Sequence, residues 1–295
     1  MDRVYLFLNA ERGLSVLRAL TGAGHGVESV CIPRAAAEKP ALKDGVRAAG
    51  STVEAVDDVN ARDFVEAYRA RKPRLGVVAG FSTIFKSPLV SAPELGTLNC
   101  HAGRLPQYRG GSPLNWQILN GEKEAGISVI RMDDGIDSGD VVAETTIPIG
   151  AEDDIATLHE KANACFARLV VDAVNRLERG EILGRRQDPA AATYWHQRND
   201  DDGHIVWRAG ARQVHDQVRA LTSPYPGAFS YLGDRRVRIL KTALDVPHVR
   251  GVPGRILYLQ GQGPLVICGD RALKLVSWRF DDAGLPRLPA GARLR

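Results

Sequence analysis

Two short, continuous apolar runs, Val4–Leu8 and Leu75–Ala79, and two further strand-like runs, Val27–Ile32 and Thr52–Val56, mark the first part of the chain. Unbroken runs of four to seven apolar residues fit strands covered on both faces. Between them the period changes. Leu14, Leu17 and Leu20 recur at helical spacing, residues 34–50 are rich in Ala and Lys, and Asn60 stands where it could cap a helix carrying Phe64 and Tyr68. The order is β-α-β-α-β-α-β, which argues for a parallel sheet covered by helices. Gly22, Gly24 and Gly26 follow a helix and precede a strand, the reverse of a dinucleotide fingerprint.

Further on, the run Gly96-Thr97-Leu98 ends in Asn99, Cys100 and His101. A loop with Pro106, Arg109, Gly110, Gly111 and Pro113 follows, then a strand-like run from Ile127 to Met132 and the loop Asp133-Asp134-Gly135-Ile136-Asp137. An apolar stripe from Ile155 to Leu177 predicts a long helix, capped by Asp153 or Asp154 and ended by Gly180. His159 borders that stripe and reads as a packed histidine. Residues 181–203 are polar and read as a linker. Val214, Val218 and Leu221 mark a last helix. After the turn Pro224–Gly227 come short β-rich runs at Ala228–Leu232, Val237–Leu240, Gly254–Leu259, Leu265–Cys268 and Ala272–Trp278, the pattern of a small barrel. The expected fold class is α/β, with a Rossmann-like, mostly parallel sheet and helices on both faces over residues 1–198, and a small β-rich domain over residues 199–295.

Composition changes this picture little. No apolar run approaches the length of a membrane span, and the chain enters a strand directly from Met1, so a cytoplasmic protein is expected. Cys31, Cys100, Cys165 and Cys268 are scattered, as free thiols are, with no zinc spacing and no metal expected. Charge is uneven: residues 200–295 hold 15 Lys and Arg against 9 Asp, while the rest of the chain holds 24 against 26 acids. A basic C-terminal part attracts phosphates or simply solvates a surface.

Candidate chemistry sits at the ends of apolar runs, where active sites form in open α/β sheets. Asn99 can donate to a developing oxyanion, His101 can take a proton, and Asp137 can orient the histidine or relay its proton. Asn99 and His101 are two apart, so an extended backbone puts them on one face and Cys100 on the other. No G-x-S-x-G nucleophile motif occurs.

The N-x-H pair, the L-P-x-Y-R-G loop and the D-x-G-x-D-x-G-D run together resemble the 10-formyltetrahydrofolate-dependent formyltransferases. The resemblance makes Asn99, His101 and Asp137 the catalytic residues. It implies 10-formyltetrahydrofolate as co-substrate, with a pterin pocket built largely from the backbone of Phe81, Ser82, Thr83, Ile84 and Phe85 and from Asp133, Asp134 and Gly135. It also implies an OB-like C-terminal domain. For Phe81 and Phe85, core packing is the competing reading. The ending Pro113-Leu114-Asn115-Trp116 and the run 223–229 resemble the branch that formylates amino sugars on nucleotide diphosphates. The first loop, Asn9–Gly13, is short, whereas the tRNA-modifying branch carries an insertion nearby. On that resemblance Asn9, Arg12, Arg109 and Tyr194 are candidate contacts to phosphate, sugar or base, with Trp195 and Arg198 nearby. The expected partner is a nucleotide-linked amino sugar, with methionyl-tRNA or another small amine such as a hydroxyornithine as alternatives. No membrane partner is expected, and a homodimer is admitted.

Overall fold

A computed structural model describes residues 1–181, 184–282 and 287–295 of the chain. The elements are β1 (Val4–Leu8), α1 (Glu11–Gly22), β2 (Val27–Pro33), α2 (Pro40–Ala48), β3 (Thr52–Val56), α3 (Arg62–Ala70), β4 (Leu75–Ala79), α4 (Ser87–Val90), β5 (Thr97–His101), β6 (Arg109–Gly110) and α5 (Pro113–Leu119). Then follow β7 (Glu124–Arg131), β8 (Val141–Pro148), α6 (Ile155–Glu178), β9 (Tyr194–Trp195), α7 (Ala211–Leu221), β10 (Ala228–Leu232), β11 (Arg235–Ala243), β12 (Ile256–Tyr258), β13 (Pro264–Ile267) and β14 (Ala272–Phe280).

Two compact units divide these elements. The first holds Met1–Pro113, Ala125–Ile147 and His159–Trp195; the second holds Leu114–Glu124, Pro148–Leu158 and His196–Arg295. The first unit carries a seven-stranded sheet in the order β3-β2-β1-β4-β5-β7-β8. Strands β1 to β5 run parallel, and β7 lies antiparallel to β5, with His101 opposite Ser128 and Asn99 opposite Ile130. The apolar runs of β1 and β4 are buried at every position, as the absence of polar alternation predicts. In the second unit five strands form an antiparallel sheet, β10-β11-β14-β13-β12. The fold is thus a mixed α/β with a large, mostly parallel sheet and a C-terminal antiparallel one. No helix among the described residues is long and apolar enough to cross a membrane.

Two local expectations are corrected, on residues 113–119 and on Asn60, and one strand, β8, carried no expectation. Residues 113–119 are helical rather than part of a loop. Strand β8 lies at the sheet edge, where its burial alternates and its apolar signal is thin. Asn60 does not cap α3, whose N-cap is Ala61 without a side-chain bond. Asn60 instead donates to the carbonyl of Ile84 at 2.9 Å and accepts from the amide of Lys86 at 2.9 Å. It therefore clamps the loop after β4. Aromatic packing holds the start of that loop: Phe7 meets Phe81 and Phe85 edge-on, with centroids 6.0 and 4.9 Å apart.

Candidate active site

Strand β5 carries Asn99 and His101 on one side and the buried Cys100 on the other, as a two-residue period requires. Burial pushes the Cys100 thiol up to about 12, so it stays protonated and is no nucleophile near neutrality. The sequence reading of this residue as core thus fits its surroundings.

Asp137 comes back to β5 from the loop after β7. Its Oδ1 accepts from Nδ2 of Asn99 at 3.4 Å, its Oδ2 accepts from the amide of Gly110 at 2.8 Å, and the same Oδ2 lies 3.4 Å from Nδ1 of His101. The two 3.4 Å spacings are loose, as is common without substrate. His101 is 5% exposed. Its Nε2 lies 2.6 Å from the carbonyl oxygen of Tyr108. The Tyr108 carbonyl and the Asp137 carboxylate can both only accept, and the shorter contact assigns the proton of the neutral ring to Nε2. In the neutral ring Nδ1 is then the basic nitrogen, and it faces Asp137. Asn99 spends one amide N–H on Asp137 and keeps the other for a further acceptor.

Gly103 lies against this arrangement. A Cβ there would sit 2.5 Å from Nε2 of His101 and 2.7 Å from the Tyr108 oxygen. The Gly103 carbonyl is itself fixed by the buried Ser128 hydroxyl at 2.9 Å. Only glycine leaves room for the bond that sets the histidine tautomer.

Arg109 is 4% exposed. Its Nε and Nη2 both donate to Oε1 of Gln187, at 3.1 and 2.9 Å, and its Nη1 donates to the Tyr194 hydroxyl at 2.7 Å. Its described partners are neutral, and among the described residues it makes no ion pair with a carboxylate. Strands β6 and β9 bring this about by pairing Arg109 with Tyr194, which remains 61% exposed.

The loop after β4 presents mostly backbone. Ser82, Thr83 and Ile84 are exposed, while Phe85 is buried and Phe81 half-buried in the aromatic core. Among the described residues the amides of Phe81 to Phe85 have no hydrogen-bond partner, and of their carbonyls only that of Ile84 accepts. Free main-chain donors and acceptors fit the edge of a pterin, so the segment suits the expected co-substrate. Ser87 donates to Asp134, joining this segment to the second loop. There Asp133 accepts from Ser138 at 2.8 Å and from the amide of Gly135 at 3.1 Å.

Asn9 and Arg12 neighbour Gly80, and the Arg12 guanidinium lies over the Phe166 ring at 5.0 Å. In the second unit Arg198 lies over Trp116 at 5.0 Å and donates to the Asp202 carbonyl. The Pro-Leu-Asn-Trp ending is consumed by packing in that unit: Asn115 donates to the Ala220 carbonyl and Trp116 to that of His196. Gln187 and Asn60 were missed as site residues. A single polar residue in a polar stretch carries no periodic signal.

Comparison with known proteins gives this geometry a family. A model described as formyl transferase matches residues 59–174, and one described as formyl transferase, C-terminal domain, matches residues 198–283. The methionyl-tRNA formyltransferase of Citrifermentans bemidjiense is 37% identical over 227 residues, covering 77% of this chain and 70% of that protein. The chain belongs to the formyl transferase family. This formyltransferase is also 34% identical to the methionyl-tRNA formyltransferase of Anaeromyxobacter dehalogenans, over 90% of its own length and 87% of the relative. Two solved structures share its fold. One is an N-formyltransferase from Helicobacter canadensis in complex with folinic acid and dTDP-3-aminofucose (TM-score 0.70, 17% identity, 93% of this chain and 99% of that one). The other is HypX from Aquifex aeolicus in complex with tetrahydrofolic acid (TM-score 0.68, 21% identity, 95% of this chain). This chain spans 44% of that HypX chain, less than half its length.

Proposed function

We propose that this formyltransferase moves the formyl group of 10-formyltetrahydrofolate to the amine of a nucleotide-linked amino sugar, in the cytoplasm. The observation that carries the acceptor class is Arg109. A guanidinium buried to 4% exposure without a carboxylate partner is costly. It favours an anionic ligand group, and a diphosphate answers that need next to Gly110 and Asp137. The exposed ring of Tyr194 beside it offers a stacking surface for a base or sugar.

In this reading the neutral amine attacks the formyl carbon to give a tetrahedral intermediate, which collapses by breaking the formyl carbon–N10 bond; N10 takes up the proton that the amine gave to His101 and tetrahydrofolate leaves. The lone pair at Nδ1 of His101 accepts the proton that the nitrogen sheds, and Asp137 Oδ2 stabilises the imidazolium. The uncommitted N–H of Asn99 donates to the formyl oxygen as it gains charge, a contribution of roughly 3 kcal/mol to the barrier. Phe81 to Phe85 and Asp133 to Gly135 orient the pterin by main-chain groups.

The rival acceptor is methionyl-tRNA, favoured by the 34–37% identity to methionyl-tRNA formyltransferases. The test is mass spectrometry of products from a panel of dTDP-, UDP- and GDP-linked amino sugars, the matching free amino sugars, and methionyl-tRNA. One nucleotide-linked sugar should gain a single formyl group and its free counterpart should not. Asn99→Ala should cut that turnover by on the order of a hundredfold. Formylation of methionyl-tRNA alone would overturn the acceptor class.

A further inference from the structure

We propose that Gln187 is a positioning residue that couples Arg109 to Asp137, so that one side chain sets both the anion-facing guanidinium and the catalytic carboxylate. The inference rests on the roles given above to Asp137 and Arg109. Gln187 lies in the polar stretch after α6 and is 6% exposed. Its Nε2 donates to the backbone carbonyls of Asp137 at 2.8 Å and Gly139 at 2.6 Å, while its Oε1 accepts twice from Arg109. A primary amide has two donors and two acceptor sites, and here all four are used. The orientation is dictated by chemistry. A guanidinium can only donate, so it must meet Oε1, and carbonyls can only accept, so they must meet Nε2.

What Nε2 holds is a backbone that resists its own conformation. Asp137 has φ of 50°, a left-handed geometry that is unfavourable for a residue with a Cβ. Such a residue keeps that geometry when its surroundings over-determine it. Two fixed points do so here: the amide of Gly110 on the side chain, and Gln187 on the carbonyl. The loop has little room to relax beyond them, since a Cβ on Gly139 would lie 1.8 Å from the Arg131 oxygen. Neutrality matters as much as shape. A glutamate would accept from Arg109 equally well, but it would cancel the positive charge and turn lone pairs toward two carbonyls. An amide holds the cation and leaves its charge available.

Two variants of the full chain separate these roles. Gln187→Met keeps the length and removes all four bonds. Gln187→Glu keeps the two bonds to Arg109 and removes the two donors. Both should lower kcat by about ten- to a hundredfold per folate-binding site, because small displacements of a catalytic group carry losses of that order. The acceptor KM should rise more in Gln187→Glu than in Gln187→Met, since only the glutamate neutralises Arg109. Hydrogen exchange over residues 132–141 should quicken in both variants. A folded Gln187→Met enzyme with kcat within about twofold of wild type overturns the proposal; should that variant not fold, Gln187→Glu decides by the same criterion. If no nucleotide-linked sugar is formylated by the wild type, the acceptor reading fails on its own. Exchange over 132–141 then still decides the link to Asp137, and unchanged exchange refutes it.

Discussion

In the proposed mechanism His101 uses its two ring nitrogens for different duties, and Gly103 keeps them distinct. The bond from Nε2 to the Tyr108 carbonyl leaves Nδ1, beside Asp137, for the proposed proton transfer. Gly103→Ala would place a methyl 2.5 Å from Nε2, closer than real contacts allow, against a carbonyl that cannot swing away. The expected outcome is a loss of kcat of about tenfold or more, with a cooperative melt and folate affinity close to wild type. Ser128→Ala should act in the same direction and more weakly, since it frees the Gly103 carbonyl without crowding the ring. Steady-state kinetics beside a folate-analogue titration checks both; parallel loss of folate affinity would point to a disrupted fold instead.

At the scale of elements, α6 carries a titration built into its packing. Asp154 caps it by accepting from the amides of Ala156 and Thr157 at 3.0 Å, as one of the two predicted caps. His159, on the second turn, is held below the usual imidazole range at about 4, by burial first and by the charge of Arg12 second. The folded state therefore prefers the neutral ring. Its contribution is present above the ordinary value of 6.5 and is lost as pH falls toward about 4. The size is at most about 3 kcal/mol. Urea unfolding of wild type and His159→Leu from pH 7.5 to 4.5 should show the stability difference shifting toward the variant as pH drops. A difference that does not move with pH would mean that His159 stays neutral, or equally charged, in both states.

Across the whole molecule, the basic excess of the C-terminal part is less available than its count implies. The tightest cluster, Arg235, Arg236 and Arg238, is met by three acids. Arg235 pairs with Asp282, Arg236 with Asp200, and Arg238 with Asp200 and Asp281. Hydrogen bonding to Arg238 holds Asp200 below the usual carboxylate range. A surface gripping tRNA needs several unpaired cations, and its affinity falls steeply with salt. Replacing the three arginines with glutamine should therefore lower the melting temperature, by removing the ion pairs of the buried Arg238 with Asp200 and Asp281, while kcat/KM for the small acceptor stays within about twofold. A steep salt dependence that disappears in this variant would return the cluster to substrate binding.

The amino-acid order alone determined whatever depends on local period and burial. β1 and β4 match their apolar runs residue for residue, because a strand hidden on both faces has no polar position to blur its limits. The meeting of Asn99 and His101 was legible as well, since a period of two places them on one face. Tertiary structure decided the rest. Nothing local marks Gln187, whose partners lie 50 and 78 positions away, or Asn60, which serves a loop 24 to 26 positions on. Nor does net charge reveal that the arginines of β11 are answered by Asp200, Asp281 and Asp282. Hydrogen bonds and ion pairs depend on directions between atoms, and those directions exist only once distant segments have been brought together.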